Sequence, residues 1–148
     1  MTEYKMELEP TLISNITFSD GVIREMGTNK LTLIGTFHQF TVPRFPFQTP
    51  PFFVTVCLAN LRGKLDGFKM AIRIEDKSSG LVVGSNGGDI GTIAELKPTE
   101  VVQIPLQMAV IFPSAGLYSV VVLAQSDVVG SRDLVVNSVT NVQTLPNS

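Results

Sequence analysis

His38 is the single histidine of the 148-residue chain and Cys57 its single cysteine, and between them they bound the nucleophilic chemistry open to it. A Ser–His–Asp or Cys–His site needs a base within hydrogen-bond reach of the nucleophile, so His38 would have to serve, with Cys57 as its partner. Both fall inside alternating strand patterns, and no Gly-x-Ser-x-Gly elbow is present. One histidine and one cysteine cannot complete a zinc set without carboxylates or a second chain. Glu75, Asp76, Asp89, Asp127 and Asp133 occupy turn-like stretches that could line one end of a sandwich, but no Asp-x-Asp-x-Asp-Gly run wraps a calcium ion. Glu75 and Asp76 are sequence neighbours on a strand and point to opposite faces, so they do not converge on one bond as an acid–base pair must. The glycine-rich stretch Gly84 to Gly91 has no following helix and no closing Lys-Ser/Thr, which rules out a phosphate-cradling loop; it reads as a hairpin or bulge loop. These residues predict no catalytic group, no cofactor and no metal, and the chain reads as a non-enzyme.

Contact chemistry is better represented. The segment 41–51, TVPRFPFQTPP, holds four of the nine prolines together with Phe45 and Phe47. Proline fixes φ and lacks an N–H, so this is an extended connector, expected to cross from one sheet to another. Large apolar residues are usually buried, which makes Phe45 and Phe47 plugs for one open end of a sandwich. The sharper reading has one of them exposed beside Arg44, the composition of an interface anchor. Arg44, Phe45 and Phe47 are therefore the first interface candidates, and Gly87, Gly88 and Asp89 in the glycine-rich loop the second. An unpaired edge strand, open to a partner or to another copy, is a further route.

The elements that position these groups are strands. Tyr118, Val120, Val122 and Ala124 repeat at period two, and Leu134 and Val136 supply a matching face after a turn. Phe68, Met70, Ile72 and Ile74 alternate with Lys69, Ala71, Arg73 and Glu75 in a half-exposed strand. Residues 52–61 read as a strand buried on both faces, and 30–40 as a strand in which Gly35 marks a bulge or a close backbone approach. Val102 to Phe112 alternates through Pro105, which demands an edge position or a break. Ser19-Asp20-Gly21 and 27–29 are turn chemistry, and 62–67 and 86–92 read as loops. No segment carries a capped 3.6-residue period. The expectation is an all-β, antiparallel sandwich of about eight or nine strands, immunoglobulin-like because Gly116-x-Tyr118 has the form of a tyrosine corner, with a jelly roll as the alternative. A polar arm (1–10), one domain (11–136) and a polar tail (137–148) complete the organisation.

Composition excludes several classes of function. The 11 basic and 13 acidic residues are scattered, with no Lys/Arg stripe to neutralise phosphates, so no nucleic-acid partner is expected. No apolar run approaches the ~18 residues of a membrane helix. A lone cysteine forbids an intrachain disulfide, and the opening MTEYKMELEP lacks an apolar signal region, so the expected address is the cytoplasm.

Ser19 to Arg24, Lys30 to Phe37, Val42-Pro43 with Phe45-Pro46, and Phe112-Pro113 with Gly116-x-Tyr118, taken in order from about residue 12 to 136, resemble an uncharacterised family of small bacterial immunoglobulin-like β-sandwich proteins. The resemblance implies a compact sandwich and attaches no activity or ligand. The function expected is a protein-interaction or assembly module that docks a protein partner or self-associates. Alternatives are a small-ligand or carbohydrate-binding sandwich, calcium-assisted, and a component of a phage virion or other machine. Sugar sites present stacking rings, and with no tryptophan and two tyrosines this chain has few.

Overall fold

A computed structural model describes residues 12–28, 30–59, 63–96 and 101–139. Within them the chain forms β1 (Leu12–Arg24), β2 (Leu31–Phe37), β3 (Gln39–Val42), β4 (Phe47–Gln48), β5 (Phe52–Ala59), β6 (Gly63–Asp76), β7 (Val82–Leu96), β8 (Val101–Met108), β9 (Ile111–Phe112), β10 (Gly116–Ala124) and β11 (Asp127–Ser138). A four-stranded sheet in the order β2-β1-β5-β8 faces a five-stranded sheet in the order β3-β11-β10-β6-β7, and β4 pairs with β9 as a small third ladder. The result is an all-β sandwich. Its eleven strands exceed the expected eight or nine because the expected strands 30–40 and 102–112 each divide in two and a two-residue piece, β4, forms within the connector.

The period-two faces meet between the sheets. Phe68, Ile72 and Ile74 of β6 and Tyr118, Val120, Val122 and Ala124 of β10 have no exposed surface, and Leu134 and Val136 of β11 are equally enclosed. Opposite them lie Phe52, Val54, Val56 and Leu58 of β5, the inner half of a strand flanked on both sides by β1 and β8. Pro105 sits in β8, the outermost strand of its sheet, where a missing N–H breaks no ladder. The tyrosine corner is formed: the Tyr118 hydroxyl donates to the Ser114 carbonyl at 2.7 Å. The hairpin from β10 to β11 turns on Gln125 and Ser126, at φ 52° and 74°, the pair of positive values that a two-residue turn matching strand twist requires.

Five local expectations are corrected. Ser19-Asp20-Gly21 makes no turn; β1 runs straight through it, with Ser19 paired to Phe53 on one side and Thr36 on the other. Two ladders outweigh the turn preference of Asp-Gly, and the reversal falls instead around Gly27, at φ 88°, where the Glu25 N–H reaches the Lys30 carbonyl. Residues 86–92 form no loop but the middle of β7. Glycine is there because of crowding: a Cβ at Gly87 would lie 2.5 Å from the Ala71 Cα across the ladder, and one at Gly84 would overlap Val110. Most of the expected loop at 62–67 belongs to β6, which starts at Gly63. The expected strand 30–40 breaks at His38, where the chain leaves one sheet and enters the other; β3 then runs parallel to β11, so the sandwich is not wholly antiparallel. Gly35, at φ 67°, marks neither a bulge nor a close backbone approach; the Asp20 side chain fills its Cβ position, with a carboxylate oxygen 2.6 Å from where a Cβ would lie. β11 extends to Ser138, into the segment read as tail; the arm 1–10 and residues 140–148 lie outside the described residues.

One chain of rings crosses the core. Phe18 stacks on Phe37 (5.9 Å), Phe37 meets Phe40 and Phe52 (5.0 and 6.0 Å), Phe40 meets Phe112 (5.4 Å), and Phe112 meets Tyr118 edge-on (4.9 Å). The rings come from β1, β2, β3, β5, β9 and β10, so they join both sheets and the small ladder. At its outer end Arg132 of β11 lies 4.6 Å over the Phe18 ring and donates to the Ile16 carbonyl, a second tie between the sheets. Phe112 is fully buried at the centre of this chain. Phe112→Ala is expected to cost about 3–5 kcal/mol of unfolding free energy, read from a denaturant melt, with Phe112→Leu recovering much of it. An unchanged midpoint for Phe112→Ala would show that the ring chain does not hold the sheets together.

Candidate interaction surfaces

The two residues with nucleophilic potential are not assembled into a site. His38 is exposed at the break between β2 and β3, whereas Cys57 lies within β5, where its sulfur accepts from Gln103 Nε2 at 3.4 Å. Among the described residues no group of three or more His, Cys, Asp and Glu side chains converges. Arg73 and Glu75, two apart on the outer face of β6, bond to each other at 2.5 Å, and Asp133 pairs with Lys77 at 2.9 Å.

The proline connector crosses from the five-stranded to the four-stranded sheet, as its composition predicts. It leaves β3 at the buried Val42, passes a cis Phe45–Pro46 bond, pairs Phe47 with Phe112, and enters β5 at Phe52. Thr49 pins it: its N–H donates to the Val110 carbonyl at 2.9 Å, and its buried hydroxyl accepts from the Val110 N–H at 3.1 Å. Phe45 is half-buried and packs on the core cluster, Phe47 is half-buried in the β4–β9 ladder, and Arg44 is exposed. The three candidates are thus close in sequence, but Arg44 alone among them is fully presented to solvent.

Gly87, Gly88 and Asp89 lie in β7, the outermost strand of the five-stranded sheet. Near its start, Asn86 Nδ2 donates to the Gln107 carbonyl at 2.6 Å and Gly84 accommodates Val110, so the β8–β9 segment approaches the edge there. From Gly87 onward no strand among the described residues pairs with the outer side of β7. Ile90 is exposed and sits where the register with β6 shifts between Lys69–Asp89 and Phe68–Gly91, so it has no partner on β6. Strand β7 contains neither proline nor lysine, two of the usual guards on an open edge. Sequence reasoning placed these glycines in a loop and so missed that they belong to an edge. The signal available to it was the alternation continuing on both sides of them.

The outer faces of the two sheets differ in charge. On the five-stranded sheet Lys69, Arg73, Glu75 and Asp133 face outward. On the four-stranded sheet the outward positions are the odd residues of Asn15 to Ile23, of Phe53 to Cys57 and of Val101 to Gln107, together with Thr32, Ile34 and Thr36, and none is Asp, Glu, Lys or Arg. Ile23, Ile34 and Val101 are exposed on this face, and Thr55 at its middle has a buried hydroxyl with no hydrogen-bond partner.

A shallow groove of about 520 Å³ lies beside the tyrosine corner, between the 76–78 turn and residues 114–117. Its acidic member is committed to its own turn. The Asp76 carboxylate accepts from the Ser78 hydroxyl and N–H, both at 2.8 Å, and from the Ser79 N–H at 3.3 Å. The Ser78 hydroxyl bond, then the backbone bonds, hold its pKa below the ordinary 3.8 against a small opposing effect of burial.

This is a β-sandwich whose described residues present open strand edges and two faces of different charge. Residues 14–137 match the model of a family of unknown function, DUF6941, and the chain belongs to that family. The uncharacterised family expected from the ordered motifs is borne out at that level. No curated protein matches the chain. Among solved structures, a β-glucuronidase from glycoside hydrolase family 2 is similar at 13% identity and a TM-score of 0.41, over 64% of this chain and 12% of that one. The chain spans a small fraction of that enzyme, and a likeness at this level lends nothing to a functional reading. No helix among the described residues is long and apolar enough to cross a membrane.

Two outcomes follow from this geometry. Because the folded pKa of Asp76 is depressed, its turn contributes stability above the ordinary carboxyl range and loses it as pH falls through the lowered value. In an NMR titration Asp76 is expected to titrate below the ordinary carboxyl value, and Ser78→Ala to move its midpoint upward; a midpoint that Ser78→Ala leaves in place would contradict the turn geometry. Phe45→Asp places a carboxylate against the core and is expected to lower stability by about 2 kcal/mol or more. An unaltered melt would instead return Phe45 to the role of an exposed anchor.

Proposed function

We propose that this chain is a non-enzymatic interaction module, an immunoglobulin-like sandwich of the cytoplasm that docks a protein partner by accepting an extended segment along β7. The immunoglobulin-like reading is supported by the formed tyrosine corner on the next-to-last strand and by β6, β10 and β11 lying side by side opposite β5 and β8, as the C, F, G and B, E strands do in that architecture. The cytoplasmic address is supported by the single cysteine.

The observation that carries the proposal is the outer side of β7 from Gly87 to Leu96, which no strand among the described residues pairs with, which holds neither proline nor lysine, and on which Ile90 is exposed. Such an edge offers a row of backbone donors and acceptors to an incoming strand, with side chains on alternate positions giving selectivity. Asp89, from the second group of interface candidates, lies on this edge, so a partner strand would meet it there.

The test uses the tagged chain to recover partners from a native lysate, with the eluted complex sized by light scattering. Ile90→Pro removes an N–H and fixes φ at the residue that β6 does not pair with, so the sandwich keeps its ladder while the edge is blocked. The expected result is a stoichiometric complex with the native chain, lost with Ile90→Pro although that variant still unfolds cooperatively. Equal recovery by both, or no recovery by either, would remove β7 as the docking edge.

A further inference from the structure

We propose that a second copy of this chain pairs with β2, antiparallel and across a two-fold axis at Ile34, joining two four-stranded sheets into one of eight strands. This goes beyond the docking assigned to β7, since it uses the other sheet and names the partner as the chain itself.

The sandwich has four outermost strands, and three of them are poorly suited to self-pairing. β8 carries Pro105 in its middle, β3 is four residues long, and β7 carries Asp89 near its centre, with its first residues approached by the β8–β9 segment. β2 differs. Its seven residues, LTLIGTF, include no charge and no proline, and Thr32, Ile34 and Thr36 on its outward face are all exposed. Together with β1 from Gly21 to Arg24 it extends past the end of β5 as a two-stranded ribbon, since β5 pairs with β1 only as far as Ser19. A ribbon of two strands is marginal alone and gains from a third.

The sequence of β2 is also self-complementary about Ile34. In the antiparallel register centred there, Ile34 faces its own copy, Thr32 faces Thr36, and both fall on the outward side. On the inner side Leu31 meets Phe37 and Leu33 meets Gly35, where the Asp20 carboxylate already occupies the space a side chain would take. Threonine–threonine and β-branched pairs are the favourable cross-strand combinations, and like charges placed directly opposite are the unfavourable ones. No outward strand position of this sheet is charged; Glu25 accepts from the Thr32 hydroxyl at 3.5 Å, and the antiparallel register puts the two copies of that carboxylate at opposite ends of the pairing. A two-fold axis perpendicular to the sheet keeps the two uncharged faces on one side, as a closed isologous interface requires. Seven residues of edge give an area below the roughly 800 Å² per partner of a stable interface, so the dimer is reversible and concentration-dependent.

Sedimentation equilibrium of the purified chain over a range of concentrations, up to the highest that stays soluble, is the test. The native chain is expected to pass from monomer to dimer. Ile34→Lys sets two ammonium groups against each other at the axis, and Ile34→Glu two carboxylates, so each variant alone is expected to remain monomeric. Ile34 is exposed, which keeps both variants folded; Thr32→Lys, facing Thr36, serves if either is not. Mixing the Ile34→Lys and Ile34→Glu chains is expected to restore dimer as a mixed species, a result that only a pairing centred on residue 34 gives. Ile90→Pro leaves this dimer intact, which separates it from the β7 edge. A native chain that stays monomeric throughout, or a dimer that survives Ile34→Lys, would overturn the assignment.

Discussion

The run of rings from Phe18 through Phe37, Phe40 and Phe112 to Tyr118 is the constraint on which the remaining structure depends. Sheets pack face to face at about 10 Å, and only large side chains bridge that gap without leaving voids. Here the bridging rings come from six strands, including β3 and β9, which are too short to be held by their own ladders. Phe40 is the joint: its neighbours Phe37, Phe52 and Phe112 belong to the four-stranded sheet and the small ladder, while its own strand lies in the five-stranded sheet. Arg132 closes the outer end by sitting over Phe18 and bonding the Ile16 carbonyl, so its charge meets both a ring face and a backbone oxygen.

That packing accounts for the path of the chain. Phe37 and Phe40 must both reach the interior although they belong to different sheets, and the break at His38 lets them do so. The connector then has to return from β3 to β5 over the end of the sandwich. Thr49 fastens it to Val110 and Phe47 pairs with Phe112, so the segment richest in proline is tied down by one hydroxyl, one short ladder and the packing of Phe45. The corner made by Tyr118 and Ser114 does the corresponding work at the entry to β10.

The strands and their inward faces were legible because burial of alternate residues leaves a period of two in the sequence. Tyr118 to Ala124 and Phe68 to Ile74 fall where that period puts them, and the tyrosine corner forms as its spacing implies. Pro105 was legible as an edge because its missing N–H can be tolerated nowhere else in a ladder. What the sequence hid was decided by partners distant along the chain. Asp20-Gly21 carries the chemistry of a turn, yet β2 and β5 hold Ser19 from both sides and keep the strand straight. Gly84 and Gly87 look like loop residues because crowding by Val110 and by Ala71 is invisible until the sheets are assembled. The setting of the second interface candidates was hidden in the same way: Gly87, Gly88 and Asp89 read as a loop, and their place on an outermost strand could be recognised only from strand order.

Open edges carry a standing risk. A strand with unpaired backbone groups recruits any extended chain, and proteins normally guard such edges with proline, lysine, bulges or brevity. This sandwich guards three of its four edges in that manner, β8 with Pro105, β3 by length and β7 with the bulge at Ile90. Retaining Thr, Ile and Leu without charge or proline along β2 leaves that edge open to aggregation unless it is occupied in use. An edge that is covered by its proper partner needs no guard, and a guard there would block that partner. The uneven distribution of these devices leaves β2 the least guarded of the four edges, and guarding follows from the same rule of backbone satisfaction that makes the sheets form at all.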